Sequence, residues 1–345
     1  MPGSGLSIAG NQVGYFPMER REFVKGLSAA SAAVVAGNVL RAKPAVDAAK
    51  PFTLSLSQWG FHRAIFGDAR DNYQDFITTL HRAPDDVLRG DMDPRDIVWR
   101  ARELGVGVVD LVNILWFGHG QDGPWLADFK ARARDAGVTF GVLMCDQLGR
   151  IAAKDSAERK RSISGHLDWM ETAAELGCPF LRVNPYGDGS YLEQLKRGAE
   201  TLHELADRSS DFGLEILVEN HGHPGSNGAW LAMLIEQADH PRLGTYTDLD
   251  NFFMGGWNHD PQRRYDRTQG LFDLAPYTKA ISAKTHDFGP DGEETTIDYQ
   301  ACLKILLDAG FTGLVGAEYE GHRLSEAEGS RLTVELLRRE QKRFA

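Results

Sequence analysis

From residue 52 onward, short apolar or β-branched runs alternate with longer segments whose apolar positions recur at helical spacing. Eight runs carry the strand signature: residues 52–59 (FTLSLSQW), 106–115, 138–146, 179–185, 214–222, 243–251, 278–288 and 312–321. Runs of this length, bounded by turn residues, fit buried strands, and the segments between them fit helices packed on the outside. Helical segments repeatedly end in a glycine just ahead of the next run, at Gly105, Gly137, Gly177, Gly213 and Gly310. Glycine closes a helix in the left-handed conformation without steric cost, so these are natural helix-to-strand junctions. Eight such units predict the α/β class and a (β/α)8 TIM barrel, a closed parallel eight-stranded barrel. An open doubly wound sheet is the competing architecture, but no glycine-rich phosphate loop follows the first run. Residues 60–93 make a long first connection, predicted to lie over one end of the barrel.

The first fifty residues break this pattern. Residues 20–40 read RREFVKGLSAASAAVVAGNVL, two adjacent arginines followed by a mildly apolar stretch too weak to span a bilayer stably. This resembles a twin-arginine export signal, with Arg20 and Arg21 as the pair. It implies a leader over 1–50, a barrel over 51–345, cleavage within 46–49, and an exported, periplasmic or extracellular location. Met18 is an alternative start, and an ordinary amphipathic N-terminal helix is the competing reading.

Composition narrows the partners. The chain has 345 residues, 38 basic against 49 acidic, and a net charge of −11. The leader holds six of the basic residues and three of the acidic ones, so the barrel is the more acidic part. Nucleic acid is therefore excluded as a partner on average field. Cys145, Cys178 and Cys302 are odd in number and set in apolar surroundings, which predicts buried thiols rather than a disulfide framework or thiolate metal site.

In a parallel barrel the carboxyl ends of the strands build the active site. The fifth run ends in Glu219, Asn220 and His221, the sixth in Asp248, Asp250 and Asn251, the seventh in Lys284, His286 and Asp287, the eighth in Glu318 and Glu320. Converging buried carboxylates are costly unless a cation neutralises them. Two glutamates, an aspartate and a histidine offer hard oxygen ligands plus one imidazole, a set suited to one divalent metal ion, Mn²⁺, Mg²⁺, Co²⁺ or Zn²⁺. Without thiolates, such a site is expected to be catalytic and partly open.

The strings ILVENHG, LGTYTDLDNF, ISAKTHDF and LVGAEYEG, with SLSQWGFHRAIFG at the first strand, resemble the xylose isomerase-like barrel superfamily of sugar phosphate isomerases and epimerases. The resemblance spans roughly residues 52–340 and implies one divalent metal held by Glu219, Asp248, His286 and Glu318. Many relatives carry a histidine two residues before a strand-seven lysine; aligned on Lys284, that position is Ser282. Residues 282, 284 and 286 share one strand face, so a His286 ligand and a three-ligand site both stay open. The ketose epimerase branch places a histidine three residues past the aspartate, where this chain has Asn251.

The chemistry this implies is metal-dependent isomerisation or epimerisation of a keto sugar through an enediolate. Glu219 and Glu318 are the acid/base pair. Lys284 is placed to stabilise the oxyanion, and His62, Asn184 and His221 to contact sugar hydroxyls. Trp59, Trp116, Trp125 and Trp257 are candidates to stack on a sugar ring, with packing under loops as the alternative fate. The same enolate supports elimination, so a lyase cleaving 3-keto glycosides is an alternative, as is a non-catalytic sugar-binding barrel. An apurinic-site endonuclease shares the barrel but needs a basic groove, which the acidic charge opposes. The expected partner is a small carbohydrate; a homo-oligomer is compatible with the sequence.

Overall fold

The computed structural model of the protein describes residues 50–255 and 260–345. The expected leader with Arg20 and Arg21, and Trp257, lie outside the described residues. All eight predicted runs are strands, each trimmed at its ends. They are Thr53–Ser57 (β1), Val108–Val112 (β2), Thr139–Met144 (β3), Phe180–Val183 (β4), Glu215–Glu219 (β5), Leu243–Asp248 (β6), Thr278–Thr285 (β7) and Leu314–Tyr319 (β8). Each pairs in parallel with the next, and β8 closes on β1, giving a barrel without edges. Apolar runs such as VVDLV form strands here because both faces are covered, and Val108–Val112 is buried throughout.

The helices that lead from each strand to the next, and the one after β8, are Ile97–Glu103, Gly123–Ala136, Ser156–Leu176, Tyr191–Ser209, Gly228–Ala238, Arg267–Leu274, Tyr299–Asp308 and Glu326–Phe344. Side-chain caps fix several starts; Ser190 and Glu193 form a reciprocal capping box. At the other end Gly137 and Gly177 take φ of 70° and 84° and accept the left-handed C-cap role expected of them. The three cysteines are buried and free. Among the described residues no helix is long and apolar enough to cross a membrane.

The barrel interior holds a buried carboxylate ahead of the strand-end acids in sequence order. Asp110 is fully buried, accepting from Ser55 Oγ at 2.5 Å and from the Val142 N–H at 2.8 Å. Burial pushes its carboxyl up to about 6. A Cβ at Gly141 would collide with one Asp110 oxygen and a Cβ at Gly316 with the other, so these two glycines make the room.

Two additions interrupt the strand–helix alternation. Residues 60–93 carry the helices His62–Phe66 and Tyr73–Arg82, and Arg70, Tyr73 and Phe76 from this insertion border the cavity at the strand ends. An antiparallel pair of two-residue strands, Phe253–Met254 with Arg263–Arg264, follows β6. The sequence reading missed it, since two residues carry no periodicity.

Candidate active site

The carboxyl ends of the strands surround a cavity of about 550 Å³. Its wall is polar at the strand ends and aromatic toward the insertion, with Trp59, His62 and Tyr73 facing Arg182, Glu219, Lys284 and Glu318.

The polar wall is one connected network. Arg182, an inward residue of β4, is buried and ties two acids together: its Nη1 donates to Asp146 Oδ1 at 2.8 Å, and its Nε lies 2.8 Å from Glu219 Oε2. The other Glu219 oxygen accepts from Asn251 Nδ2 at 3.0 Å. Asn251 Oδ1 in turn accepts from Lys284 Nζ at 3.0 Å. The Lys284 ammonium also stands 3.3 Å from Glu320 Oε1, 3.6 Å from Asp248 Oδ2 and 3.9 Å from Glu318 Oε1. Glu318 Oε2 accepts from Ser57 Oγ at 2.6 Å, and Glu320 Oε1 from Trp59 Nε1 at 2.6 Å. Asp248 Oδ1 accepts the backbone N–H groups of Asp250 and Asn251, both at 2.7 Å, which folds the chain back after β6.

Burial and these neighbours split the acids into two kinds. Burial, reinforced by the charges of Asp248 and Glu318, outweighs Arg182 and pushes the Glu219 carboxyl up to about 8. Burial likewise outweighs Lys284 and raises Glu318 to about 7. At Glu320 burial loses to Lys284 and His62, and the carboxyl drops to about 2. Lys284 is held well above the usual lysine value because the surrounding carboxylates outweigh the cost of burying its charge.

The expected site residues do not all meet here. Glu219, Lys284, Glu318, His62 and His221 border the cavity, while Asp248 is wholly buried behind Lys284. His62 stacks on Trp59 with ring centroids 4.4 Å apart, and burial lowers it to about 4, leaving a neutral ring. His221 is lowered by burial to about 3 and shares a hydrogen bond between its Nδ1 and Tyr186 Oη. Asn184 sits one layer back, donating to Asp146 Oδ1 at 2.6 Å.

His286 requires a correction. The strand ends at Thr285, and the N–H groups of His286 and Asp287 both turn toward Glu294 Oε1. The period-two projection stops there, and His286 Nε2 pairs with Asp250 Oδ2 at 3.0 Å instead. That pair belongs to a separate cluster, with Arg264 and Arg267 on the other Asp250 oxygen. The tryptophans divide in the same way. Trp59 borders the cavity, whereas Trp116 and Trp125 stack on each other at 5.3 Å, and Trp116 packs in the core.

A divalent ion does not fit this donor set. Among the described residues no three His, Cys, Asp or Glu side chains come together in a geometry that holds a metal ion. The imidazole of the expected quartet is engaged elsewhere, and Ser282, in register with Asp248, offers only a hydroxyl. The space between the carboxylates is held by an ammonium. Of the expected quartet Glu219, Asp248, His286 and Glu318, His286 stands apart with Asp250, while Asp248 and Glu318 face the Lys284 ammonium and Glu219 faces Arg182.

Arg182, Ser57 and the bridging role of Asn251 were absent from the sequence reading. Arg182 did leave a signal, since an arginine inside the apolar run FLRV at an inward position needs a buried anion. Arg70 left none; its guanidinium lies over the Trp59 ring at 4.8 Å through the fold of the insertion alone.

The sequence profile of the xylose isomerase-like TIM barrel matches residues 98–340. Solved structures share the architecture. A D-psicose 3-epimerase, in the presence of D-fructose, is 12% identical with a TM-score of 0.56, covering 72% of this chain and 93% of that one. A 3-keto-D-glucoside 4-epimerase from E. coli, in its apo form, is 15% identical with a TM-score of 0.56, covering 84% and 99%. The IolI protein with a bound zinc atom is 15% identical with a TM-score of 0.62, covering 85% and 99%. At these identities the likeness concerns the fold.

Proposed function

This chain belongs to the xylose isomerase-like TIM barrel family, and on that premise we propose that it is an isomerase or epimerase acting on a keto sugar or related carbohydrate. The observation that supports this most is that Glu219 and Glu318 both line the cavity, both carboxyls raised toward neutrality. Near pH 7 such a pair supplies one ionised and one protonated member. One removes the proton from the carbon beside the carbonyl, and the other returns it.

Removal of that proton leaves negative charge on the carbonyl oxygen. Lys284 donates a hydrogen bond to it, in a buried setting where such a donor acts strongly. Return to the opposite face epimerises the carbon; return to the neighbouring carbon, with the hydroxyl proton passing to the former carbonyl oxygen, moves the carbonyl. Trp59 and the neutral His62 stacked on it border the cavity as contacts for the sugar, and His221 offers a hydroxyl contact. The structures of a psicose epimerase and a keto-glucoside epimerase on the same fold support a carbohydrate substrate.

The twin-arginine-like residues 20–40 add an exported location to this proposal, checked by cell fractionation. The reaction is tested by incubating the protein with free keto sugars and 3-keto glycosides in D₂O and reading products by mass spectrometry. An isomer carrying one deuteron supports the proposal. A cleaved glycoside moves the reading to the eliminase, and binding without exchange moves it to the sugar-binding barrel.

A further inference from the structure

We infer that the Lys284 ammonium is the resident cation of this site: it takes the charge-balancing place of a divalent ion, and the chain works without one. The inference deepens the proposed reaction, on which its catalytic meaning rests, but its evidence is the arrangement of the carboxylate oxygens.

Each oxygen of the three strand-end acids faces a donor or a cation within 4 Å, although Glu219 Oε2 and Asp248 Oδ2 are buried without a hydrogen bond. Glu219 gives one oxygen to Arg182 and the other to Asn251. Asp248 gives Oδ1 to two backbone N–H groups, and Glu318 gives Oε2 to Ser57. The two that remain, Asp248 Oδ2 and Glu318 Oε1, lie 3.6 and 3.9 Å from Lys284 Nζ, with the Ser282 hydroxyl also 3.4 Å from the latter. Register sets this up. Lys284 pairs across the sheet with Glu318, and Ser282 with Asp248, so the ammonium is delivered between the acids by strand alignment.

The short Ser282 side chain matters as much as the lysine. It puts no imidazole beside Asp248 and leaves the flexible lysine stem room to reach inward. An ion entering the site would have to displace a fully buried ammonium from Glu320, Glu318 and Asp248 and leave it unpaired, which is costly. Arg182 balances Asp146 and Glu219 in the same manner, so two fixed cations serve the acids. Both carry N–H donors, and both can therefore meet developing negative charge by hydrogen bonding.

The test is metal binding, read without a substrate. The purified full chain is dialysed against Mn²⁺, Co²⁺, Zn²⁺ and Mg²⁺ in turn, then assayed for bound metal by mass spectrometry and for melting temperature. The wild type is expected to retain well under one equivalent of any ion and to melt at an unchanged temperature. Lys284→Gln removes the charge while keeping a shorter polar side chain, and should melt lower in metal-free buffer and regain several degrees with Mn²⁺ or Co²⁺. Should that variant fail to fold without metal, refolding in the presence of Mn²⁺ reads the same gain. One tightly held equivalent in the wild type overturns the inference. So does a Lys284→Gln protein that responds to metal no more than the wild type. Neither result depends on which sugar is turned over, so failure here is separable from failure of the proposed reaction.

Discussion

Arg182 Nε lies 2.8 Å from Glu219 Oε2, with both side chains buried, and the same guanidinium reaches Asp146. A buried charge that bridges two acids cannot be removed quietly. Arg182→Met leaves Asp146 and Glu219 without their counter-ion and is expected to cost about 3–5 kcal/mol of stability, measured by urea unfolding at pH 7. A loss below about 1 kcal/mol would mean that the pair carries little of the site's order.

His286→Ala separates the two readings of strand seven. As a ligand or catalytic group, His286 would be indispensable. In the structure it is partly exposed and paired with Asp250, which keeps Arg264 and Arg267 when the imidazole is gone. The variant should lose no more than about 1 kcal/mol and turn over within a few-fold of wild type, measured by unfolding and by rate.

Stability should fall as pH rises through neutrality. Glu219 and Glu318 are raised to about 8 and about 7, so above the ordinary carboxylate value the folded state holds protons that the unfolded chain has lost. Their contribution is complete below that ordinary value and disappears as pH passes through the folded values. A tenfold difference in proton affinity between the folded and unfolded chain is worth about 1.4 kcal/mol, so the effect amounts to a few kcal/mol. His286, raised by its Asp250 partner, adds a loss of the same sign. Glu320, lowered to about 2, acts oppositely and gives up its contribution only in strong acid. Glu219→Gln should flatten the decline between pH 5 and pH 8 in denaturant titrations, and an unchanged slope would count against the raised carboxyl.

The barrel was legible because its signals are local and repeated. Each strand is an apolar run, and Gly105, Gly137, Gly177, Gly213 and Gly310 all take positive φ where a helix hands over to a strand. The acids of the site were legible because Glu219, Asp248 and Glu318 stand at strand ends, where this fold collects its chemistry. What failed was extrapolation past a strand end. The alternation that puts Ser282 and Lys284 on the inner face stops at Thr285, and His286 follows the loop instead. Ionic partners were the other gap. No pattern along the chain says that Lys284 reaches three carboxylates, since those contacts join residues 34 to 36 positions apart.

The most direct test of the proposed chemistry is the exchange of a substrate C–H proton with solvent, followed by NMR in D₂O for wild type, Glu219→Gln and Glu318→Gln on a keto sugar that the wild type converts. Each variant should fold and lose exchange by about 100- to 10,000-fold. Exchange at the wild-type rate in either variant would contradict the assignment of that glutamate, and in both would remove the acid/base pair altogether.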